Sequence, residues 1–182
     1  MFNCVTLKTR ILLYGIAILF FLAGCHQTVY PNARNELKKV SAEREKSVGY
    51  AKIAKVTFKE QPKKLTQAML YYTDAKSIGN PLIQHLQTSL TSSSMKESQV
   101  REMISEDVKR LVLVNAKFRM LIESGETSTR GLPAVAAVAS AAGPITDACV
   151  SLWKTYKDAD HKQVEAMVQT LESYKWDDWD KL

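Results

Sequence analysis

The stretch MKESQVREMISEDVKRLVLVNAKFRMLIES, residues 95–124, decides the fold. Val100, Ile104, Val108, Leu111, Asn115, Phe118 and Ile122 recur at steps of three and four, which places them on one side of an α-helix. Met103, Val114 and Leu121 widen that stripe beyond a strict coiled-coil seam. Ser94 and Glu97 have capping-box spacing, in which the serine oxygen takes an orphan amide and the glutamate reaches back. Glu106 and Arg110 are placed for an i,i+4 ion pair, worth about a few tenths of a kcal/mol. Gly125 is a natural stop. At ~1.5 Å per residue the helix is a rod of roughly 45 Å, with an apolar face that needs partners along its whole length.

Toward higher numbers, Glu126 to Gly131 reads as a polar loop. Leu132 to Ala142 is dominated by alanine and valine, and Ala134, Ala137 and Ala141 would admit close approach of a neighbouring helix. Gly143-Pro144 should break that segment, with Pro144 opening a helix through Ile145, Ala148, Cys149, Leu152 and Tyr156. Asp158-Ala159-Asp160 suggests a break or a new cap, followed by a helix carrying Val164, Met167, Val168 and Leu171. Toward lower numbers, Thr91 to Ser94 is a polar loop. Before it, one helix is expected over about Lys64–Ile78 with Leu65, Met69, Tyr72 and Ala75 on one side. Gly79-Asn80-Pro81 should interrupt it, and a short helix with Leu82, Leu86 and Leu90 follows. The first helix begins near Asn32 or Ala33, carries Leu37, Val40, Val48, Ala51, Ala54 and Phe58, and ends before Pro62, although Ile53 to Phe58 is also compatible with a strand. The period is near 3.6 throughout. The fold expected is therefore all-α: an irregular bundle of four to six helices around the long one at about 95–124.

The chain opens differently. Lys8 and Arg10 precede an apolar run of roughly 14 residues that ends in small residues, the build of a secretory signal. A spanning helix needs about 20 apolar residues. Leu22-Ala23-Gly24-Cys25 resembles the lipobox of bacterial lipoprotein precursors, over about the first 26 residues. The resemblance implies cleavage before Cys25 and acylation of that cysteine, so that several acyl chains moor the mature protein on a bilayer. It divides the chain into a signal peptide (1–24), a lipidated tether (25–32) and a single helical domain (33–182). Position 26 is His26 rather than the aspartate that tends to retain such proteins at the inner membrane. The implied address is the outer membrane, facing the periplasm, or the outer face of the cytoplasmic membrane in a Gram-positive cell.

Charge is unevenly spread. Residues 33–64 hold ten basic and four acidic side chains, while residues 150–182 hold five and seven. The basic third adjoins the lipid, where each Lys or Arg near an anionic surface contributes about 1 kcal/mol. No basic–aromatic motif points to nucleic acid, and the compartment argues against it. Of three cysteines, Cys4 leaves with the signal and Cys25 takes lipid, which leaves Cys149 alone at helical spacing from Ile145, Leu152 and Trp153. Burial as a small apolar residue is expected for it.

Catalytic signals are weak. His26, His85 and His161 are scattered, with no HExxH, GxSxG, P-loop or GxGxxG pattern in the mature chain. Glu102 and Glu106 beside Asp107 read as a solvated face, and Asp158, Asp160 and His161 as capping. No cofactor or metal is implied. Trp176 and Trp179, with acids between and after them, either fold back as a staple or offer a partner contact. The function expected is a lipid-anchored helical binding or assembly module with a protein partner, in general form similar to secretin-targeting pilot lipoproteins though without a motif of theirs. The alternative is an immunity or exclusion lipoprotein that neutralises a toxin or phage product, and an enzyme is the third reading.

Overall fold

The computed structural model describes residues 31–124 and 135–182. Five α-helices follow in order: α1 (Pro31–Thr57), α2 (Pro62–Thr91), α3 (Glu97–Ser124), α4 (Val135–Lys157) and α5 (His161–Glu172), then a 3₁₀ turn at Trp179–Lys181. All secondary structure among the described residues is helical. The signal-peptide and Cys25 readings, Gly125, the polar loop at 126–131 and Ala134 lie outside the described residues.

The four long helices all touch one another, and α5 and the 3₁₀ turn lie on α2. Much of the core follows the helical period, although Val48, Leu65, Met103, Val114 and Ile122 of the expected stripes are only half-buried. Val100, Ile104, Val108, Leu111, Phe118 and Leu121 of α3 are buried, as are Leu37, Val40, Ala51 and Ala54 of α1 and Phe58 just past its end. Phe118 sits between two tyrosines, with ring centroids 5.5 Å from Tyr50 and 6.0 Å from Tyr71, so that one aromatic cluster ties α1, α2 and α3. The α3–α4 seam is edged by ion pairs, Arg101 to Asp147 at 2.7 Å and Lys154 to Glu97 at 2.9 Å. Such exposed pairs contribute little each, about 0–1 kcal/mol.

Two expected breaks are absent. Helix α2 runs through Gly79-Asn80-Pro81 and α4 runs through Gly143-Pro144. Each proline leaves one carbonyl, four residues back, without its helical donor. Those carbonyls belong to Ser77 and Ser140, both exposed residues, so neither group is shut away from solvent. The buried residues on either side, Ala75, Ile78, Leu82 and Ile83 in α2 and Ala142 and Ile145 in α4, keep each helix continuous across the proline by packing.

Four local expectations also shift. Helix α3 begins at Glu97 rather than after Ser94, because Gln99 turns back to accept from the Lys96 amide at 2.9 Å. Arg110 pairs with Asp107 at 3.9 Å and Glu106 with Lys109 at 4.0 Å, so the i,i+4 pair is replaced by two i,i+3 contacts. Ala141 faces solvent while its neighbour Ala142 is buried, and Met69 is 39% exposed, since Ala68 takes the inward position. The cap at Asp160 is as the sequence reads: its carboxylate accepts from the Gln163 amide at 2.9 Å and the Gln163 side chain answers at 3.2 Å.

Candidate functional site

Two surface features on α2 combine apolar depth with charge. The first is the groove between α1 and α2 that the 173–182 segment covers. Gly79 makes it possible. The Trp176 ring lies directly on this glycine, and an added Cβ would stand 2.7 Å from ring atom Cε3 and closer still to Cζ3 and Cη2. Asn80 fixes the backbone beside the ring: its Oδ1 accepts from the Trp176 amide at 2.7 Å, and its Nδ2 donates to the Trp176 carbonyl at 3.5 Å. Trp176 is 4% exposed, yet its indole N–H has no hydrogen-bond partner among the described residues.

Basic side chains from both helices then hold the strap. Arg44 donates to the Lys175 carbonyl at 2.9 Å and lies 3.5 Å from the Asp177 carboxylate. Lys76 pairs with Asp178. Lys55 donates to the Trp179 carbonyl at 2.6 Å and sits 5.2 Å from the centroid of its ring, a cation–π placement. Tyr72, fully buried, donates its phenol to the Asp177 carbonyl at 3.1 Å and meets Trp179 edge-on at 5.8 Å. Of the two candidate contact residues, Trp176 is thus covered as the chain is folded, and Trp179 is half-buried beside it. The glycine and asparagine that receive Trp176 were readable only as a helix break.

Burial, then the neighbouring Asp177 carboxylate, pushes the Tyr72 phenol up to about 12. A raised phenol favours the protonated, folded form. Its contribution is therefore full below the unfolded value near pH 10 and is lost as pH rises through about 12. Phenolate absorbance should reveal a late-titrating tyrosine, absent in Tyr72→Phe, whose ionisation coincides with loosening of the strap. On the acid side, the hydrogen bond from Lys76 holds the Asp178 carboxyl below its usual range. That support is present above the ordinary carboxylate value and is lost as pH falls through the lowered one.

The second feature is an open cleft of about 520 Å³ where the end of α2 meets α4 and α5. Leu90, Trp153, Tyr156, Val164 and Val168 give it an apolar, aromatic lining, and Ser92, Ser93, Lys157 and Glu165 a polar lip. Lys157 stands 5.3 Å from the Trp153 ring centroid, at the boundary between the two. An aromatic floor with a few polar groups around it is the usual build of a recognition site.

The remaining candidates are dispersed. His85 lies 3.1 Å from the Asp107 carboxylate, whose other oxygen faces Arg110 at 3.9 Å; this trio bridges α2 and α3 away from the cleft. Glu102 and Glu106 are exposed. His161, 92% exposed on its side chain, stands instead at the cleft's edge, 3.9 Å from Glu165. Among the described residues no three His, Cys, Asp or Glu side chains gather as a metal site would need. Cys149 is fully buried, and that burial pushes its thiol up to about 12. It should resist a disulfide reagent at pH 8 in the native protein and react only as the bundle unfolds, because the thiolate is the reacting form. Among the described residues no helix is long and apolar enough to cross a membrane.

Compared with protein-family models, curated proteins and solved structures, the chain matches none.

Proposed function

We propose that this protein is a lipid-anchored helical module, moored through Cys25 at the outer membrane and facing the periplasm, that binds a protein partner rather than transforming a small molecule. The mooring rests on Leu22-Ala23-Gly24-Cys25 after a short apolar run. The binding role rests on one observation above the others, the cleft formed by Leu90, Trp153, Tyr156, Val164 and Val168. Its size suits a few side chains of a peptide segment, and its aromatic floor is held by packing, with Trp153 and Tyr156 almost fully buried.

Crosslinking in intact cells tests the binding role. Val164 and Val168 are only partly buried, so glutamates there change the cleft without hollowing the core. Native protein should recover a discrete partner that Val164→Glu/Val168→Glu loses, at unchanged helicity. Equal recovery by both would remove the cleft from the interface. A partner recovered only during toxin or phage attack would assign the protein to immunity or exclusion instead. The mooring has its own test: denatured native product should titrate a single thiol, Cys149, whereas an unprocessed chain exposes three cysteines.

A further inference from the structure

We infer that the 173–182 segment is a detachable strap, and that the groove beneath it takes, in its place, a partner segment carrying an indole followed by carboxylates. This rests on the reading of the chain as a partner-binding module and gives that partner a chemistry.

Three observations carry it. The groove is built for this chemistry: Gly79 opens a ring-sized flat on α2, Asn80 reads one residue's amide and carbonyl, and Arg44, Lys55 and Lys76 surround them. The segment seated there, Trp176-Asp177-Asp178-Trp179, shows which ligand fits, with its charges opposite to those of the walls.

The hold is also incomplete. The Trp176 indole N–H is buried without an acceptor among the described residues, which sets a penalty against closure. The acids that pair with the walls remain largely in water, with Asp177 57% and Asp178 60% exposed, so solvent and salt weaken both pairs. Between Glu172 and the 3₁₀ turn no helix stiffens the segment. Such a piece opens at lower free energy than the bundle it lies on. A partner segment that satisfies its own indole N–H avoids that penalty and would bind better than the strap does. Opening uncovers Tyr72 and Trp176 and frees the covered part of Trp179, so the candidate contact residues become fully available in the open form.

The test uses the full chain purified from membranes and, as probe, a fluorescein-labelled peptide of sequence SYKWDDWDKL. Asp177→Lys/Asp178→Lys repels the strap from Arg44 and Lys76 and leaves the groove intact. Gly79→Ala also evicts the strap, because its methyl occupies the ring's place, and it closes the groove at the same time. Release in each variant is read from faster proteolysis after Lys175 and a red shift of tryptophan emission. Peptide anisotropy should then show at least tenfold tighter binding to Asp177→Lys/Asp178→Lys than to the native chain, and none to Gly79→Ala. Equal binding by the two variants, or none by either once release is confirmed, overturns the inference. Should the native protein still capture a cellular partner in that case, the binding-module reading stands without it. Tight peptide binding with no partner captured supports the groove and overturns the module reading alone.

Discussion

Replacing Asn115 with alanine should lower the unfolding free energy by about 2–3 kcal/mol, read from urea denaturation followed by helical circular dichroism. Asn115 is 3% exposed at the contact of α3 with α1. Its Nδ2 donates both to the Glu43 carbonyl at 2.8 Å and to the Glu43 carboxylate at 2.7 Å, while its Oδ1 accepts from the Ser47 hydroxyl at 2.6 Å. Alanine removes all three bonds at once. It leaves a carboxylate that is itself 3% exposed with Lys46, a half-exposed side chain, as its remaining partner. A buried ion that loses a hydrogen-bonded partner costs far more than the bond was worth in exchange with water. The same logic predicts a rescue. Glu43→Leu/Asn115→Leu removes donor and acceptor together and should lie closer to the native protein than Asn115→Ala does. If the double variant is instead the less stable, the cluster stabilises through packing shape and not through polar pairing.

That cluster also marks where the sequence stops being readable. Asn115 is visible in the sequence as the one polar member of an apolar stripe, between Leu111 and Phe118. Its partners are not visible. Glu43 and Ser47 fall in the gap between Val40 and Val48, where periodicity reports only an interruption. A polar residue enters a core when a complementary residue arrives from another helix, and no local pattern encodes that meeting. Helix α3 was legible because its stripe is long and regular. The same is true of Cys149, whose apolar neighbours at helical spacing imply burial that the structure bears out. Gly79-Asn80-Pro81 misled for the opposite reason. The helix-breaking tendency of these residues is a local preference of about 1 kcal/mol for glycine and about 3 for proline. Packing on both sides of Pro81 outweighs it. The glycine is explained by Trp176, far away along the chain, whose ring would overlap a Cβ there. The candidate site was thus half legible: the aromatic–acidic segment drew attention by composition, while the groove that receives it read as punctuation.

Gly79→Ala separates the two explanations of that glycine. If Gly79 served only to bend or end a helix, alanine would stabilise α2 by up to about 1 kcal/mol, the difference in helix propensity. The structure predicts a net loss. No methyl fits between the α2 backbone and the Trp176 ring, and the obstacle is a rigid aromatic face held at both backbone atoms by Asn80. The ring must therefore leave, and the burial of one large apolar side chain, worth about 1.5–3 kcal/mol, goes with it. After the propensity gain, a net destabilisation of about 0.5–2 kcal/mol remains, which thermal unfolding resolves as a drop of a few degrees for a domain of this size. Its signature is local. Amide exchange should quicken along 173–182, while the buried network at Asn115 and the aromatic cluster at Phe118 keep their native protection. A matched variant that shortens the ring, Trp176→Leu, should abolish most of the penalty of Gly79→Ala when the two are combined, because the atoms that collide are then gone. Additive losses in that pair would mean that the glycine and the tryptophan act independently, and that the contact between them does not hold the strap.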